Sequence, residues 1–146
     1  MRGEKIYEVD LDIVGMTDCG VSLQAILAGE EKIPSQGARF DVAFDGHSTG
    51  RLSGRVHGVD YLRLRADGRL DLDIRATIET VDGHRIAASI DGLCVPRPDE
   101  PIADLFENVQ LTTAAADYAW VNARPIWAVG TVNMATSKIH IDAYMQ

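Results

Sequence analysis

The sequence predicts an all-β fold, a single antiparallel β-barrel of about eight to ten strands with one short N-terminal helix, and three observations predict it. Turn dipeptides recur about every ten residues, the segments between them alternate apolar and polar side chains, and almost no stretch carries a helical period. The densest region is Gly50–Gly92, read as four strands punctuated by His57-Gly58, Asp67-Gly68 and Asp82-Gly83 and closed by Asp91-Gly92. Hairpin after hairpin favours an up-and-down barrel over a sandwich, because closure removes the edges that long strands would expose. Such a barrel has room for side chains and one small ligand.

Taken in order, residues 4–14 alternate with Tyr7, Val9, Leu11 and Ile13 on one face and Glu8, Asp10 and Asp12 on the other. A short helix follows, with Thr17 or Asp18 as N-cap, Val21, Leu23, Ala25, Ile26 and Leu27 as its apolar residues, and Gly29 as its stop. It is suited to covering one end of a sheet. Ala38–Phe44 is the next strand, and Asp45-Gly46 reads as a turn. Gly50 and Gly54 lie inside Thr49–His57 and suggest a bulge or bend. Val59–Ala66 and Arg69–Thr80 join at Asp67-Gly68, a two-residue hairpin signal, and His84–Ile90 follows Asp82-Gly83. Pro96, Pro98 and Pro101 break the pattern into a loop. Leu105–Thr113, a short aromatic segment at Asp117–Asn122, and a last hairpin of Pro125–Met134 with Lys138–Met145 complete the chain.

The 146 residues read as one domain, 1–146, with enough chain for a single core. A net charge of −8 disfavours nucleic acid and anionic membrane surfaces as partners. The charged start, Met1–Lys5, shows no apolar leader, and no apolar run is long enough for a helical membrane span. Cys19 and Cys94 are too few for a disulfide framework, and reduced thiols fit a cytoplasmic protein.

Candidate chemistry comes from the polar rows. In Arg69–Thr80, Leu70, Leu72, Ile74, Ala76 and Ile78 share one face and Asp71, Asp73, Arg75, Thr77 and Glu79 the other. Either the apolar row fills the core and the charged row meets solvent, or the polar row lines a ligand cavity. Asp60 shares a face with Leu62 and Leu64, while Tyr61 goes with Arg63 and Arg65. With the Leu face inside, Asp60 is a carboxylate at the barrel mouth with a raised pKa, suited to act as a base; a simple Asx turn at Gly58 is the structural alternative. Trp120 and Asn122 pair a stacking face with an amide.

His47, His57, His84 and His140 show no metal-ligand spacing, no Gly-x-Ser-x-Gly elbow occurs, and no Gly-rich phosphate loop precedes a helix. No metal and no cofactor is therefore expected.

The run Gly54-x-Val56-x-Gly58-x-Asp60-Tyr61, then Arg65-x-Asp67-Gly68-x-x-x-Leu72-Asp73-x-Arg75-x-Thr77-x-Glu79-Thr80-x-Asp82-Gly83, with Tyr118-x-Trp120-Val121-Asn122, resembles a small bacterial all-β family, domain of unknown function 3237. The match runs from about Phe40 to the C-terminus. It departs from the family pattern at MTDCGVSLQAILAGEE and in having Tyr61 where tryptophan is common. The resemblance implies a compact antiparallel barrel, a homo-oligomer (a dimer first), and no settled reaction. The site it implies comprises Asp60, Tyr61, Asp73, Arg75, Thr77, Glu79, Trp120 and Asn122.

Within that set, Asp60 or Glu79 is read as the group that takes a proton alpha to a carbonyl and Arg75 or Asn122 as the oxyanion holder, with Tyr61, Asp73, Thr77, Trp120 and Asn122 as ligand contacts. The functional expectation is a small-molecule-binding barrel that includes a cofactor-free isomerase or lyase among its readings. A non-catalytic assembly module with a solid core and a plain ligand carrier are the alternatives. A void inside the barrel separates the first from the second.

Overall fold

In the computed structural model, which describes residues 2–146, eight antiparallel strands close into a barrel in chain order, β1 meeting β8. The strands are β1 (Glu4–Asp18), β2 (Ala38–Gly50), β3 (Gly54–Leu64), β4 (Leu70–Thr80), β5 (Arg85–Pro96), β6 (Ile102–Thr112), β7 (Ile126–Asn133) and β8 (Lys138–Met145). Helix α1 (Leu23–Leu27) lies in the β1–β2 connection, and a 3₁₀ helix (Ala116–Val121) in the β6–β7 connection. Because the strands alternate in direction, α1 sits at one end of the barrel and the 3₁₀ helix at the other.

The apolar rows named from the sequence point inward. Leu70, Leu72, Ile74 and Ile78 of β4 are buried, as are Tyr7, Val9 and Leu11 of β1. Period-two burial holds along β6, where Ala103, Leu105, Glu107, Val109 and Leu111 all face the core. Leu52, in the β2–β3 turn, and Val121, in the 3₁₀ helix, are fully buried and plug the end opposite α1.

Several expected turns are strand interior. Asp45-Gly46 lies within β2, His57-Gly58 within β3 and Asp91-Gly92 within β5. The pairs Gly46↔Val56 and Gly58↔Phe44 run straight through the ladder, and the turn that joins β2 to β3 is Arg51–Ser53 instead. In these places glycine serves close strand approach: a Cβ on Gly58 would lie within 3 Å of Ala76. With no turn at Gly58, Asp60 does not cap one.

The other two signals are real turns, one residue longer than expected. Gly68 N donates to Arg65 O at 2.9 Å and Gly83 N to Thr80 O at 3.0 Å, with both glycines at a φ of +92°. That is a four-residue turn whose last residue is a left-handed glycine, the usual three-residue hairpin. The helix starts later than expected. Thr17 and Asp18 belong to β1, and Ser22 is the N-cap, its Oγ accepting from Ala25 N at 3.2 Å.

Candidate functional site

A cavity of about 130 Å³ runs through the middle of the barrel toward the α1 end. Its walls are aliphatic and aromatic: Val9, Phe44, Leu62, Leu72, Ile74 and Ile78 among others. Met16, Leu23, Leu27, Pro96 and Met134 surround its α1 end. Leu23 and Ile26 of α1 are buried, so this short helix is seated on the opening by its apolar side. Among the described residues, no lysine, arginine or histidine lines the cavity. Its titratable groups are Asp60, Glu107, Tyr7 and Cys94.

Asp60 projects from β3 into this lumen because it occupies the inward row with Val56, Leu62 and Leu64. Its carboxylate accepts the Asp73 backbone N–H at 3.0 Å, where β3–β4 pairing lapses between Asp60↔Ile74 and Arg63↔Asp71. Burial pushes its pKa up to about 6; the Asp73 N–H pulls it down, and the Asp73 charge adds to the rise.

Glu107 lies on the β6 wall, paired with Gly92 on one side and Ala128 on the other. It is 6% exposed, and its Oε2 has no hydrogen-bond partner. Burial, reinforced by the Asp60 charge, pushes its pKa up to about 8. At neutral pH the lumen therefore holds a protonated carboxyl group, a donor with nothing to donate to. Unpaired buried polar groups are costly and uncommon, and ligand sites are where they are tolerated.

Tyr7 faces the same space from β1, buried, with its pKa raised by burial and by the Glu107 charge. Burial pushes the Cys94 thiol up to about 12, so it is an inert thiol.

Only Asp60, of the eight residues singled out in the sequence, reaches the lumen. Asp73, Arg75, Thr77 and Glu79 point outward, because the apolar row of β4 is the buried one. Arg75 pairs with Asp73 at 2.9 Å, and Glu79 is ringed by His57, Arg55 and Arg85 at 3.3, 4.0 and 3.8 Å. Tyr61 is also outside, under the Arg39 guanidinium at 5.4 Å. Trp120 sits in the 3₁₀ helix at the plugged end, with Arg51 stacked 3.9 Å over its ring. Asn122 ties that helix to β6 through two 2.9 Å bonds with the Thr113 backbone. The expected lining of Arg75, Glu79, Trp120 and Asn122 is thus not assembled in one place.

Glu107 and Tyr7 were not in the predicted set. The signal for Glu107 was nonetheless present: a carboxylate in the apolar row Ala103-Leu105-Val109-Leu111, the same pattern that marks Asp60.

Two histidines each meet one carboxylate two residues away and one distant in sequence, forming Glu8–His140–Asp142 and Asp82–His84–Asp117. His140 already binds Asp10 through Nδ1 at 2.7 Å and Asp142 through Nε2 at 3.1 Å, and these carboxylates raise its pKa. Both ring nitrogens are thus engaged by carboxylates, an arrangement that favours the imidazolium form.

The family described as protein of unknown function, DUF3237, matches residues 18–146. This chain belongs to that family. The fold of this chain recurs in solved structures. A beta-barrel like protein from Acinetobacter baumannii AYE aligns over 99% of this chain and 94% of its own, at 20% identity and a TM-score of 0.75. A protein of unknown function from Clostridium acetobutylicum ATCC 824 aligns over 99% and 97%, at 18% identity and a TM-score of 0.79. A structure described as an enzyme from Penicillium herquei aligns over 99% and 94%, at 18% identity and a TM-score of 0.67. At these identities the likeness is one of fold. No curated protein matches the chain. No helix is long and apolar enough to cross a membrane among the described residues.

Proposed function

We propose that this DUF3237 protein binds a small, uncharged, largely apolar molecule inside its barrel and moves a proton on it with Asp60 and Glu107. The observation that carries this reading is the orphaned Glu107 carboxyl in an aliphatic cavity that also holds Asp60. Two carboxyl groups with different midpoints, about 6 and about 8, divide into base and acid near neutrality. The absence of a lining cation among the described residues selects against anions. That a fold relative from Penicillium herquei is described as an enzyme adds support. A solid-cored assembly module predicts no void, whereas this barrel has one.

The test is a methyl NMR screen of uncharged one-ring compounds, read at Ile74, Ile78 and Ile90. Shifts confined to lumen methyls, and abolished by the space-filling Ala76→Phe, are expected. Binding that maps to the outer face overturns the reading.

We also carry the homo-oligomer as a proposal. Phe106 and Trp127 are 49% and 44% exposed on the outer faces of β6 and β7, an apolar strip suited to a second copy. Light scattering that returns a monomer at micromolar concentration ends that idea.

A further inference from the structure

Tyr7, Ala143, Ala128 and Glu107 occupy successive register positions on β1, β8, β7 and β6. All four are buried and inward-facing. Between the tyrosine and the glutamate, two alanines leave a low saddle over which both long side chains extend into the same cavity. Beyond Glu107 the next register position is Gly92, which has no side chain at all. The row therefore places two hydroxyl donors, a phenol and a carboxylic acid, on one side of the lumen with small residues around them. Asp60 stands on β3, across the barrel from that row. No hydrogen bond to the Tyr7 hydroxyl occurs among the described residues, and Glu107 Oε2 has none either.

We propose that Tyr7 and Glu107 together hold a carbonyl oxygen, so that the substrates are uncharged, ring-sized ketones or enones with an acidic C–H beside the carbonyl. This rests on the reading of Asp60 as the base. The step balances without a cofactor. The Asp60 carboxylate takes the proton from the α-carbon, and that C–H electron pair forms the enolate C=C as the carbonyl π pair moves onto oxygen. The oxyanion is held by the Tyr7 and Glu107 O–H groups. As its electron pair re-forms the carbonyl, protonated Asp60 returns the proton to carbon. In a simple ketone this is the α-carbon; in a β,γ-enone it is the γ-carbon, whose π pair forms the new C–H bond while the C=C shifts to the α,β position. Neutral donors suit this task in an apolar site, since they stabilise developing charge without burying a cation. Tyr7 stays protonated throughout the range in which Asp60 is ionised, because burial moves its pKa upward. The cavity, about 130 Å³, compares with the ~150 Å³ apolar cavity that accepts benzene, which sets the ligand size at one ring.

The test uses 3-cyclohexen-1-one, a neutral one-ring β,γ-enone, and follows its conversion to 2-cyclohexen-1-one by NMR in buffered D₂O. Binding is read in parallel at the lumen methyl groups. The parent is expected to bind and convert the enone above the protein-free rate. Tyr7→Phe, which keeps the ring and the fold, is expected to slow conversion about 10²-fold while the methyl shifts persist. Asp60→Asn should stop conversion, and Arg75→Ala on the outer face should leave it unchanged.

Conversion by Tyr7→Phe at the parental rate overturns the role of Tyr7 but leaves the proton-transfer reading standing. Conversion by Asp60→Asn at the parental rate overturns that underlying reading itself. A parent that neither binds nor converts the enone, while other neutral rings shift the lumen methyls, overturns the ketone class alone. Tighter binding of 3-cyclohexene-1-carboxylate than of the enone also overturns it, because a lumen without cations has no partner for the anion.

Discussion

The carboxylate of Asp60 reaches sideways out of the lumen row of β3 and accepts the backbone N–H of Asp73 at 3.0 Å. It does so where the β3–β4 ladder skips two residue pairs, so a side chain substitutes for strand pairing. One residue therefore closes the barrel wall and presents a titratable group to the cavity. At pH 4 the carboxyl is neutral and its charge cost is absent. Measured by urea unfolding at that pH, Asp60→Ala should lose about 1–3 kcal/mol by orphaning the Asp73 N–H. Asp60→Asn keeps an acceptor oxygen and should lose less than about 1 kcal/mol. Equal losses from both variants would show that the cross-strand bond contributes nothing.

Glu107 makes stability depend on pH. Its ordinary value is 4.5, and in the folded barrel it is about 8. Between those values the unfolded chain has released the proton and the folded chain retains it. The folded state then binds more protons, and stability falls as pH rises through this window, levelling off above about 8. Glu107→Gln carries no such proton. Its advantage over the parent should be absent near pH 4, grow through the window, and reach on the order of 5 kcal/mol by pH 9. Chemical denaturation at four pH values checks this. A constant difference between variant and parent would place Glu107 in water.

The residues that looked most like a site from sequence give the opposite expectation. Arg75 and Glu79 lie on the outer wall, in ion pairs with Asp73 and with His57, Arg55 and Arg85. Arg75 is exposed and Glu79 half-buried on this outer face, where ion pairs are screened by solvent, so Arg75→Ala and Glu79→Ala should each change stability by no more than about 1 kcal/mol. Lumen binding of a neutral ring, followed at the Ile74 and Ile78 methyls, should be unaffected. Loss of binding in either variant would return the site to the outer face.

How much of this was legible follows from what each signal measures. Alternation and the Asp67-Gly68 and Asp82-Gly83 turns report local backbone geometry, and they locate β4 and the strand ends beside those turns to within a residue or two, while the far ends of β3 and β5 run five and six residues beyond the expected Val59 and Ile90. Glycine reads equally as a turn or as close strand approach, so His57-Gly58 and Asp91-Gly92 were taken for turns when they lie inside strands. Alternation also leaves open which row faces in. For β4 the answer depends on seven other strands closing around it, a long-range fact no window of residues contains. Asp60 was found because it breaks an apolar row. Glu107 breaks one in the same manner, within Ala103-Leu105-Val109-Leu111, and the same test applied to every strand would have found it.

Gly92 ties the wall to the site, since it is the direct register partner of Glu107. Its φ is +153°, and a Cβ built there would run into the Phe106 carbonyl oxygen and come within 3.0 Å of the Glu107 Cα. Backbone atoms cannot step aside as a flexible side chain can, so β5 and β6 would have to part at this level of the barrel. Gly83 is the control: its φ of +92° also disfavours a side chain, but a Cβ there meets nothing within 4 Å. Gly83→Ala should therefore cost only the strained conformation, about 1 kcal/mol. Gly92→Ala adds the backbone collision and should cost more than about 3 kcal/mol, measured by urea unfolding at pH 4 to keep Glu107 neutral. Raising the pH should then narrow the gap, because a parted wall admits water to Glu107 and relieves the cost of its charge. Similar losses for the two glycine variants would mean that the β5–β6 pair yields easily at Gly92, and that the isolation of Glu107 does not depend on it.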